Sequence, residues 1–428
     1  FQSSSRDEKI FWIVVILMCC ATSVFFVGSI MKEFVGNQFS TRITIVPAKR
    51  LKFPSLVFCP KNSDVIHLKP ILNDMRSRIG QIESDVAYDV IRFLIAGSGF
   101  PNVDVDTWND DYRQVLELNS LFLQWRGNRT QYEIFDFVFN KNGYTCQEMF
   151  IFCRAGPRHF DCCSAFEATF VMLRGRCFRL VKDLYQSDIH GTDNLLLYFN
   201  RLQGFLVRNT TRVRMVAHLG DSHVEVGLYP LLYLTVNNWN HLHFVQRKVS
   251  MVPEKNLCST DPLNQGKSTC FVYNWVNRVM VPTLNCTLPF FKTMLPYTAN
   301  LSVCEPLSVI GNYYHITSKR IRNYGCLPAC ERVENHWQIT SNIDERALAQ
   351  NGFGFEASFN ELEYEHYLET HTTTPARFIS ELGSQCGLFV GGSLMTLIQL
   401  LFTVVIFTFG FIRKAYRTYI AVLLVIRT

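Results

Sequence analysis

The residues best placed to act on an ion or a small molecule lie near the carboxyl end, in an uncharged run from Gly387 to Ile412. Small or polar residues recur there at spacings of four, three and four, which places them in one stripe along a helix. Burying the amide of Gln399 in an apolar medium without a hydrogen-bond partner would cost on the order of 2–7 kcal/mol. The stripe therefore needs to face a partner helix or water. Its members are Gly392, Thr396, Gln399 and Thr403.

Two interpretations of the stripe remain open from its residues alone. In the first, it lines a water-filled pore. In the second, it is a helix-packing motif in which Ser and Thr hydroxyls bond to backbone carbonyls of their own helix. Gly383, Gly387 and Gly391 recur every four residues, and they predict a face on which a neighbouring backbone approaches closely.

The cysteines indicate the compartment of the segment that precedes this run. The chain has 15 cysteines, of which Cys19 and Cys20 lie in an earlier apolar run and Cys386 lies at the start of the later one. Disulfides persist outside the cell and not in the cytosol, and an even number is needed for full pairing. The other twelve all lie between the two runs: Cys59, Cys146, Cys153, Cys162, Cys163, Cys177, Cys258, Cys270, Cys286, Cys304, Cys326 and Cys330.

Acceptor sequences for N-glycosylation point to the same compartment. Each is an Asn followed two residues later by Ser or Thr, and all lie in the cysteine-rich segment. The acceptors are Asn128, Asn209, Asn285 and Asn300.

Two transmembrane helices are predicted to flank this segment. Phe11 to Ile30 is an uncharged run of 20 residues, enough to cross about 30 Å of hydrocarbon and longer than the core of a cleaved signal peptide. Basic residues precede the first run and follow the second, so both termini are expected in the cytosol. The predicted divisions are 1–10 cytosolic, 11–31 transmembrane, 32–384 extracellular, 385–412 transmembrane and pore-lining, and 413–428 cytosolic.

The extracellular segment is predicted to mix helices and strands, in an α+β fold. Strand patterns include Pro54–Phe58, Val171–Leu180 and His241–Val249, and helical patterns include Asp111–Phe122 and Asn342–Ala349. These patterns predict one large extracellular body.

Other functional classes find little support in the sequence. The net charge of +6 is modest and basic residues flank both apolar runs, which favours membrane orientation over nucleic-acid binding. Gly266-Lys267-Ser268 lacks the first glycine of a phosphate loop, since Asp261 stands there. No catalytic constellation is recognised, and we expect no enzyme activity, no cofactor and no metal; disulfides are favoured over zinc for Cys326 and Cys330.

Two clusters of titratable residues are candidates for sensing protons or cations. His241 and His243 alternate on one strand, where the simpler interpretation is a solvated strand edge. An acidic run follows further along the chain, and its simpler interpretation is a solvated face. It contains Glu361, Glu363, Glu365 and Glu369.

Several motifs resemble the signatures of the family of degenerins, epithelial sodium channels and acid-sensing ion channels, and they occur along the chain in the same order as in that family. The segment from Glu381 to Ser393, which ends in Gly-Gly-Ser, resembles the start of that family's second span. Phe53-Pro-Ser-Leu-Val-Phe-Cys59, Gly175-Arg-Cys177 and Cys326-Leu-Pro-Ala-Cys330 resemble further family signatures. Arg6 and Trp12 stand where the family places an Arg and a Trp. The resemblance covers roughly residues 6–414.

This resemblance implies a fold and an assembly. The fold is a membrane protein with a hand-like, disulfide-rich extracellular domain, in which a β-sheet palm carries a helical thumb. Three subunits, identical or different, surround one pore in the plasma membrane. The implied function is a sodium-permeable, amiloride-sensitive cation channel that is gated through its extracellular domain by a ligand not identified from the sequence.

The resemblance also implies roles for individual residues. The selectivity filter is Gly391, Gly392 and Ser393, and Thr396, Gln399 and Thr403 line the pore beyond it. Ser384 falls at the amiloride contact of the outer mouth, and Ser380 falls where a small residue lets the gate close. The implied disulfides are Cys59–Cys177, Cys146–Cys153, Cys258–Cys330, Cys270–Cys326 and Cys286–Cys304, and no partner is implied for Cys162 or Cys163.

One departure from the family opens an alternative function. The family usually has Glu where this chain has Gln399, so a ring of three carboxylates becomes neutral here and the attraction for cations is weakened. A non-conducting receptor or modulatory subunit of a heterotrimer is therefore one alternative. An ATP-gated purinergic-like trimeric channel is another, although no cluster of extracellular Lys suits a triphosphate.

Overall fold

The computed structural model of the chain contains two compact units. It describes residues 6–36, 39–100, 108, 112–189, 193–205, 215–220, 231–235, 237–253, 257–263, 266–318, 325–343, 352–391 and 394–426. One unit combines Phe1–Arg42 with Glu369–Thr428, and the other is Ile43–Leu368.

Helices and strands occur in separate runs along the described residues, as is typical of the predicted α+β fold. The helices are α1 (Arg6–Val35), α2 (Leu68–Ile79), α3 (Ser84–Gly97), α4 (Tyr112–Arg126), α5 (Gln131–Phe135), α6 (Cys146–Met149), α7 (Lys267–Trp275), α8 (Val281–Leu284), α9 (Phe291–Met294), α10 (Pro306–Gly311), α11 (Tyr313–Ser318), α12 (Pro375–Val390) and α13 (Leu394–Ile426). The strands are β1 (Phe39–Pro47), β2 (Leu51–Lys52), β3 (Ser55–Pro60), β4 (Phe150–Ala155), β5 (Arg158–His159), β6 (Phe166–Val171), β7 (Gly175–Leu180), β8 (Tyr185–Gln186), β9 (Leu195–Asn200), β10 (Met215–Gly220), β11 (Leu231–Leu234), β12 (Asn238–Ser250), β13 (Glu331–Ile343) and β14 (Gly352–His371).

The strands form two large sheets and a short pair. One sheet has the order β13-β12-β14-β9-β4-β5, with β1 also paired to β14, and the other has the order β11-β10-β3-β7-β6. β12 and β14 run parallel to each other. The ring of Phe58 on β3 contacts Phe150 and Phe199 of the first sheet at centroid distances of 6.4 and 4.9 Å. This aromatic contact shows that the two sheets pack face to face around Phe58.

A second apolar core joins the helices α2–α5 to the helices α7–α11. Phe100 is fully buried there, and its ring stacks on Phe290 at 5.3 Å and on Phe170 of β6 at 6.3 Å. Because Phe166 of the same strand packs on Phe58 at 6.0 Å, β6 contributes side chains to both cores.

The sequence predicts part of this architecture correctly. The helix predicted over Asp111–Phe122 is α4, and the strand predicted over Pro54–Phe58 is β3. The single strand expected over Val171–Leu180 is wrong, because the chain turns between β6 and β7, where Leu173 has φ 62°. The expected helix Asn342–Ala349 is wrong at Asn342, which pairs with β12; residues 344–349 lie outside the described residues.

Six disulfides link the twelve cysteines, and four of them match the implied pairs: Cys59–Cys177, Cys258–Cys330, Cys270–Cys326 and Cys286–Cys304. The implied bond Cys146–Cys153 is wrong, since Cys146 bonds to Cys163 and Cys153 bonds to Cys162. Helix α6 leads directly into β4, and the neighbouring turn Cys162–Ser164 presents two adjacent cysteines to both elements. The Cα separations of 5.7 and 5.4 Å suit disulfide geometry.

Among the described residues, one helix is long and apolar enough to cross a membrane. It is Ile10–Val35, with a mean hydropathy of 2.7 over its most apolar window, and it agrees with the first predicted span.

Gly97 of α3 packs directly against Pro306 of α10. A Cβ added there would lie 2.2 Å from Pro306 Cβ and 2.5 Å from Pro306 Cα. We expect Gly97→Ala to destabilise the unit Ile43–Leu368 by about 1–3 kcal/mol, the usual cost of overpacking a tight site. The melting temperature of the detergent-solubilised full chain should fall by several degrees.

Gly311 provides the matched control, because it lies on the same helix α10 and a Cβ there would meet nothing within 4 Å. Gly311→Ala should leave the melting temperature unchanged or raise it slightly. Equal melting temperatures for both variants would show that α3 and α10 do not meet closely at Gly97.

Candidate functional site

The second predicted span contains a break between two helices. Helix α12 ends at Val390, where Gly391 adopts the left-handed conformation with φ 69° and ψ 18°, and α13 begins at Leu394. The Gly391 N–H donates to the Cys386 carbonyl, which closes the last turn of α12. Glycine takes this conformation without the steric penalty of a Cβ. The predicted division 385–412 is therefore shared between two helices that meet at the break beginning at Gly391.

Breaking a helix leaves backbone groups without helical partners. Carbonyls at the end of α12 need other donors, and amide N–H groups at the start of α13 need other acceptors. Within a membrane, such backbone is tolerated where it is buried in protein or lines a water-filled cavity. The break begins at the first residue of the predicted filter; Gly392 and Ser393 lie outside the described residues.

The start of α12 is fixed by a helix cap. Pro375 occupies the first turn, and the Thr374 hydroxyl accepts a hydrogen bond from the Arg377 backbone N–H at 3.3 Å. The Arg377 guanidinium donates to the Glu381 carboxylate at 2.6 Å. This hydrogen bond and the charge of Glu381 raise the pKa of Arg377 above its ordinary value.

One side of α12 packs against α1 through aromatic rings. Phe378 stacks on Phe34 with 4.2 Å between ring centroids, and Phe389 stacks on Phe26 with 5.8 Å. Phe378 and Phe389 are eleven residues apart, which is about three helical turns, so they lie on the same side of α12.

The other side of α12 carries small residues and is exposed in the single chain. Residues 380, 384 and 387 fall within about 60° of one another around the helix axis, since each residue turns by about 100°. Ser380, Gly383, Ser384 and Gly387 are all exposed. The structure therefore brings the predicted gate residue and the predicted blocker contact onto one face with the glycines.

Helix α13 carries exposed apolar side chains on all sides between residues 398 and 412. Between residues 398 and 412 the exposed fractions of its large apolar side chains run from 51% for Ile398 to 78% for Phe407. Gln399 is also exposed. A surface of this kind requires lipid or partner chains around it.

Thr403 and Thr396 do not distinguish a pore from a packing motif, because the hydrogen bond of Thr403 is also made by a threonine outside the stripe. The Thr403 hydroxyl donates to the Gln399 carbonyl at 2.7 Å, which is the bond that a packing motif predicts. Thr408, outside the stripe, makes the same bond to Val404 at 2.8 Å. The side chain of Thr396 lies outside the described residues.

His241 and His243 do not lie on a strand edge, because β12 is paired with β13 on one side and with β14 on the other. His241 Nδ1 lies 3.2 Å from a Glu356 carboxylate oxygen, to which Trp239 also donates a hydrogen bond at 2.8 Å. His243 Nδ1 lies 3.1 Å from the Ser358 hydroxyl. The expected solvated edge is thus a polar network across two parallel strands.

The acidic run is more structured than a solvated face. Glu365 accepts a hydrogen bond from Arg247 at 2.5 Å, which lowers the pKa of Glu365. A hydrogen bond to Glu361 and its charge raise the pKa of Glu363. Neighbouring carboxylates on β14 therefore differ in their affinity for protons.

The candidates for metal binding and for glycosylation differ in outcome. Among the described residues, no group of three or more His, Cys, Asp or Glu side chains has a geometry that could hold a metal ion. Cys326 and Cys330 are bonded to other cysteines, so they offer no thiolates. The sequon residues Asn128, Asn285 and Asn300 are exposed, and Asn209 lies outside the described part of the chain.

Sequence reasoning missed the Arg377–Glu381 pair on α12. Their spacing of four residues is a detectable signal, since it places opposite charges together on a helix.

The comparison with protein families agrees with the sequence motifs. A family model described as "Amiloride-sensitive sodium channel" matches residues 1–403. A solved structure described as a proton-activated chloride channel, determined by cryo-EM, aligns over 92% of this chain and 98% of its own, at 7% identity and a TM-score of 0.31. That score is too low to support an argument about this chain. No curated protein sequence matches it.

The family model covers most of the chain and includes the break at Gly391. The resemblance noted in the sequence is therefore confirmed: this chain belongs to the amiloride-sensitive sodium channel family of membrane ion channels.

Proposed function

We propose that the chain is one subunit of a trimeric, sodium-permeable and amiloride-sensitive cation channel of the plasma membrane, gated through its extracellular domain. The break at Gly391 is the observation that carries this proposal. A span interrupted by non-helical backbone needs water or protein at that depth, and a pore supplies water.

The faces of α12 support an assembly around an axis. Its aromatic side is occupied by α1, and its side of small residues is exposed in the single chain. Small residues allow backbones to approach closely. Three copies can therefore bring this face together at an axis, where backbone carbonyls of Gly391, Gly392 and Ser393 replace part of the hydration shell of a cation.

Disulfides and charge support the proposed orientation. The disulfides lie between the two spans, which requires an oxidising compartment. Arg413 and Lys414 follow the apolar part of α13 and favour the cytosolic side. Both termini are then cytosolic, and the segment 32–384 is extracellular.

Gly391→Ala tests the role of the helix break. An L-residue in the left-handed conformation costs about 1–2 kcal/mol, so the break should shift or close and the unitary sodium current should fall severalfold. Single-channel recording measures the current, and surface biotinylation confirms that the variant reaches the membrane.

The matched control is Gly410→Ala, because Gly410 lies inside α13 and a Cβ there meets nothing within 4 Å. Its unitary current should equal that of the wild type. If Gly391→Ala conducts normally at normal surface density, the break does not form the ion path.

Gln399 is proposed to form a neutral ring along the pore. Gln399→Glu adds three carboxylates in a trimer, which should raise unitary cation conductance or sodium selectivity because a negative ring concentrates cations. The reversal potential under mixed sodium and potassium and the unitary current are the measurements. Gln114→Glu, which adds a charge to the exposed face of α4, should change neither; if Gln399→Glu also changes neither, position 399 does not line the pore.

Ser380 and Ser384 are proposed as the gate position and the amiloride contact, and both lie on the exposed face of α12. A bulky side chain at the gate should hold the pore open, so Ser380→Val should raise basal current in whole-cell recording. An unchanged basal current would remove Ser380 from the gate.

A modulatory subunit of a heterotrimer is the second candidate, favoured by the uncharged Gln399. Silence of the chain alone, with altered current when it is expressed with a relative, would support that role.

A further inference from the structure

An ion pair lies near the outer end of α12. The Arg377 guanidinium donates through Nε to Glu381 Oε1 at 2.6 Å and through Nη1 to the Thr372 carbonyl at 3.3 Å. The Arg377 side chain is 60% exposed and that of Glu381 is 34% exposed. Arg377 and Glu381 are the two charged residues in the sequence of α12.

The pair borders the face of small residues. Arg377 precedes Ser380 by three residues and Ser384 by seven, and both spacings place side chains on the same side of a helix. Glu381 lies about 40° further around the axis than Arg377 and further from the face. The cation is therefore nearer the face, and its carboxylate partner lies on the flank.

We infer that Glu381 neutralises Arg377 at the outer mouth of the pore and thereby keeps that mouth accessible to cations. This inference rests on the proposed trimeric pore. Three subunits would place three guanidinium groups around the entrance, and unpaired they would repel a cation that approaches the filter. Paired with Glu381, they form a neutral ring that leaves the entry of cations unopposed.

The size of the effect follows from screened electrostatics. Three unit charges about 10 Å from the ion path, screened over about 8 Å at 0.15 M salt, reduce the entry of a monovalent cation about twofold. At 0.01 M salt the screening length is about 30 Å, and the same charges reduce entry about fourfold. This salt dependence distinguishes a charge effect from a distorted helix.

The experiment compares Glu381→Gln, Arg377→Gln and the double variant with the wild type, all in the full chain. Inward unitary sodium current should fall about twofold in Glu381→Gln and rise by a similar factor in Arg377→Gln. It should return to the wild-type value in the double variant, because both charges are gone. Asp183→Asn is the matched control, since it removes a carboxylate from the surface pair Lys52–Asp183, and it should leave the current unchanged.

A second readout does not depend on conduction. Ser384→Cys, in a Cys386→Ser background, places a thiol on the exposed face about two turns beyond Arg377. Its reaction rates with a cationic trimethylammonium and an anionic sulfonate methanethiosulfonate report the local potential. Glu381→Gln should favour the anionic reagent severalfold, and Arg377→Gln should favour the cationic one.

The outcomes separate this inference from the proposed function. If the variants conduct but show equal currents and equal reagent ratios, the inference is overturned while the pore stands. If no variant carries cation current at normal surface density, the proposed pore is contradicted, and this role at its mouth is contradicted with it.

Discussion

Peptide groups inside hydrocarbon must have hydrogen-bond partners, and this constraint would govern the proposed second span of the chain. A continuous helix would meet it without help from other chains. Gly391 instead ends α12 in a left-handed conformation, and α13 starts three residues later. The free backbone groups at that point need water or neighbouring chains, and the exposed face of small residues on α12 allows such neighbours to approach. In the proposed trimeric channel, assembly and ion conduction both depend on this break.

The unit Ile43–Leu368 depends on aromatic packing and disulfides. Phe58 lies at the centre of the contact between the sheets, and Phe100 lies within the helical core. Strand β6 connects the two cores, because Phe166 packs in one and Phe170 in the other. The bond Cys59–Cys177 joins β3 to β7, the partner of β6. Displacement of the helical core is thus expected to reach the sheets through β6 and β7.

Part of this fold could be predicted from the sequence, because hydropathy and family motifs can be recognised without knowing which residues are in contact. The first span follows from length and hydropathy, and four disulfides follow from the family resemblance. Tertiary context decided the rest. The partners of Cys162 and Cys163 depend on how α6 is arranged relative to β4. The end of α12 lies within a continuous apolar run, so hydropathy does not predict it, and it is recognised from the left-handed conformation of Gly391. The Arg377–Glu381 pair can be predicted from its spacing of four residues, but its position beside the face of small residues is known only from the structure of α12.

A cation pore formed by this chain is tested most directly by voltage-clamp current from the chain expressed alone, with external sodium replaced by potassium or by a large organic cation and with amiloride added. We expect an inward current whose reversal potential follows the external cation and that amiloride blocks. A reversal potential that follows chloride, or no current from a chain labelled at the cell surface, would contradict a cation pore formed by this chain at Gly391.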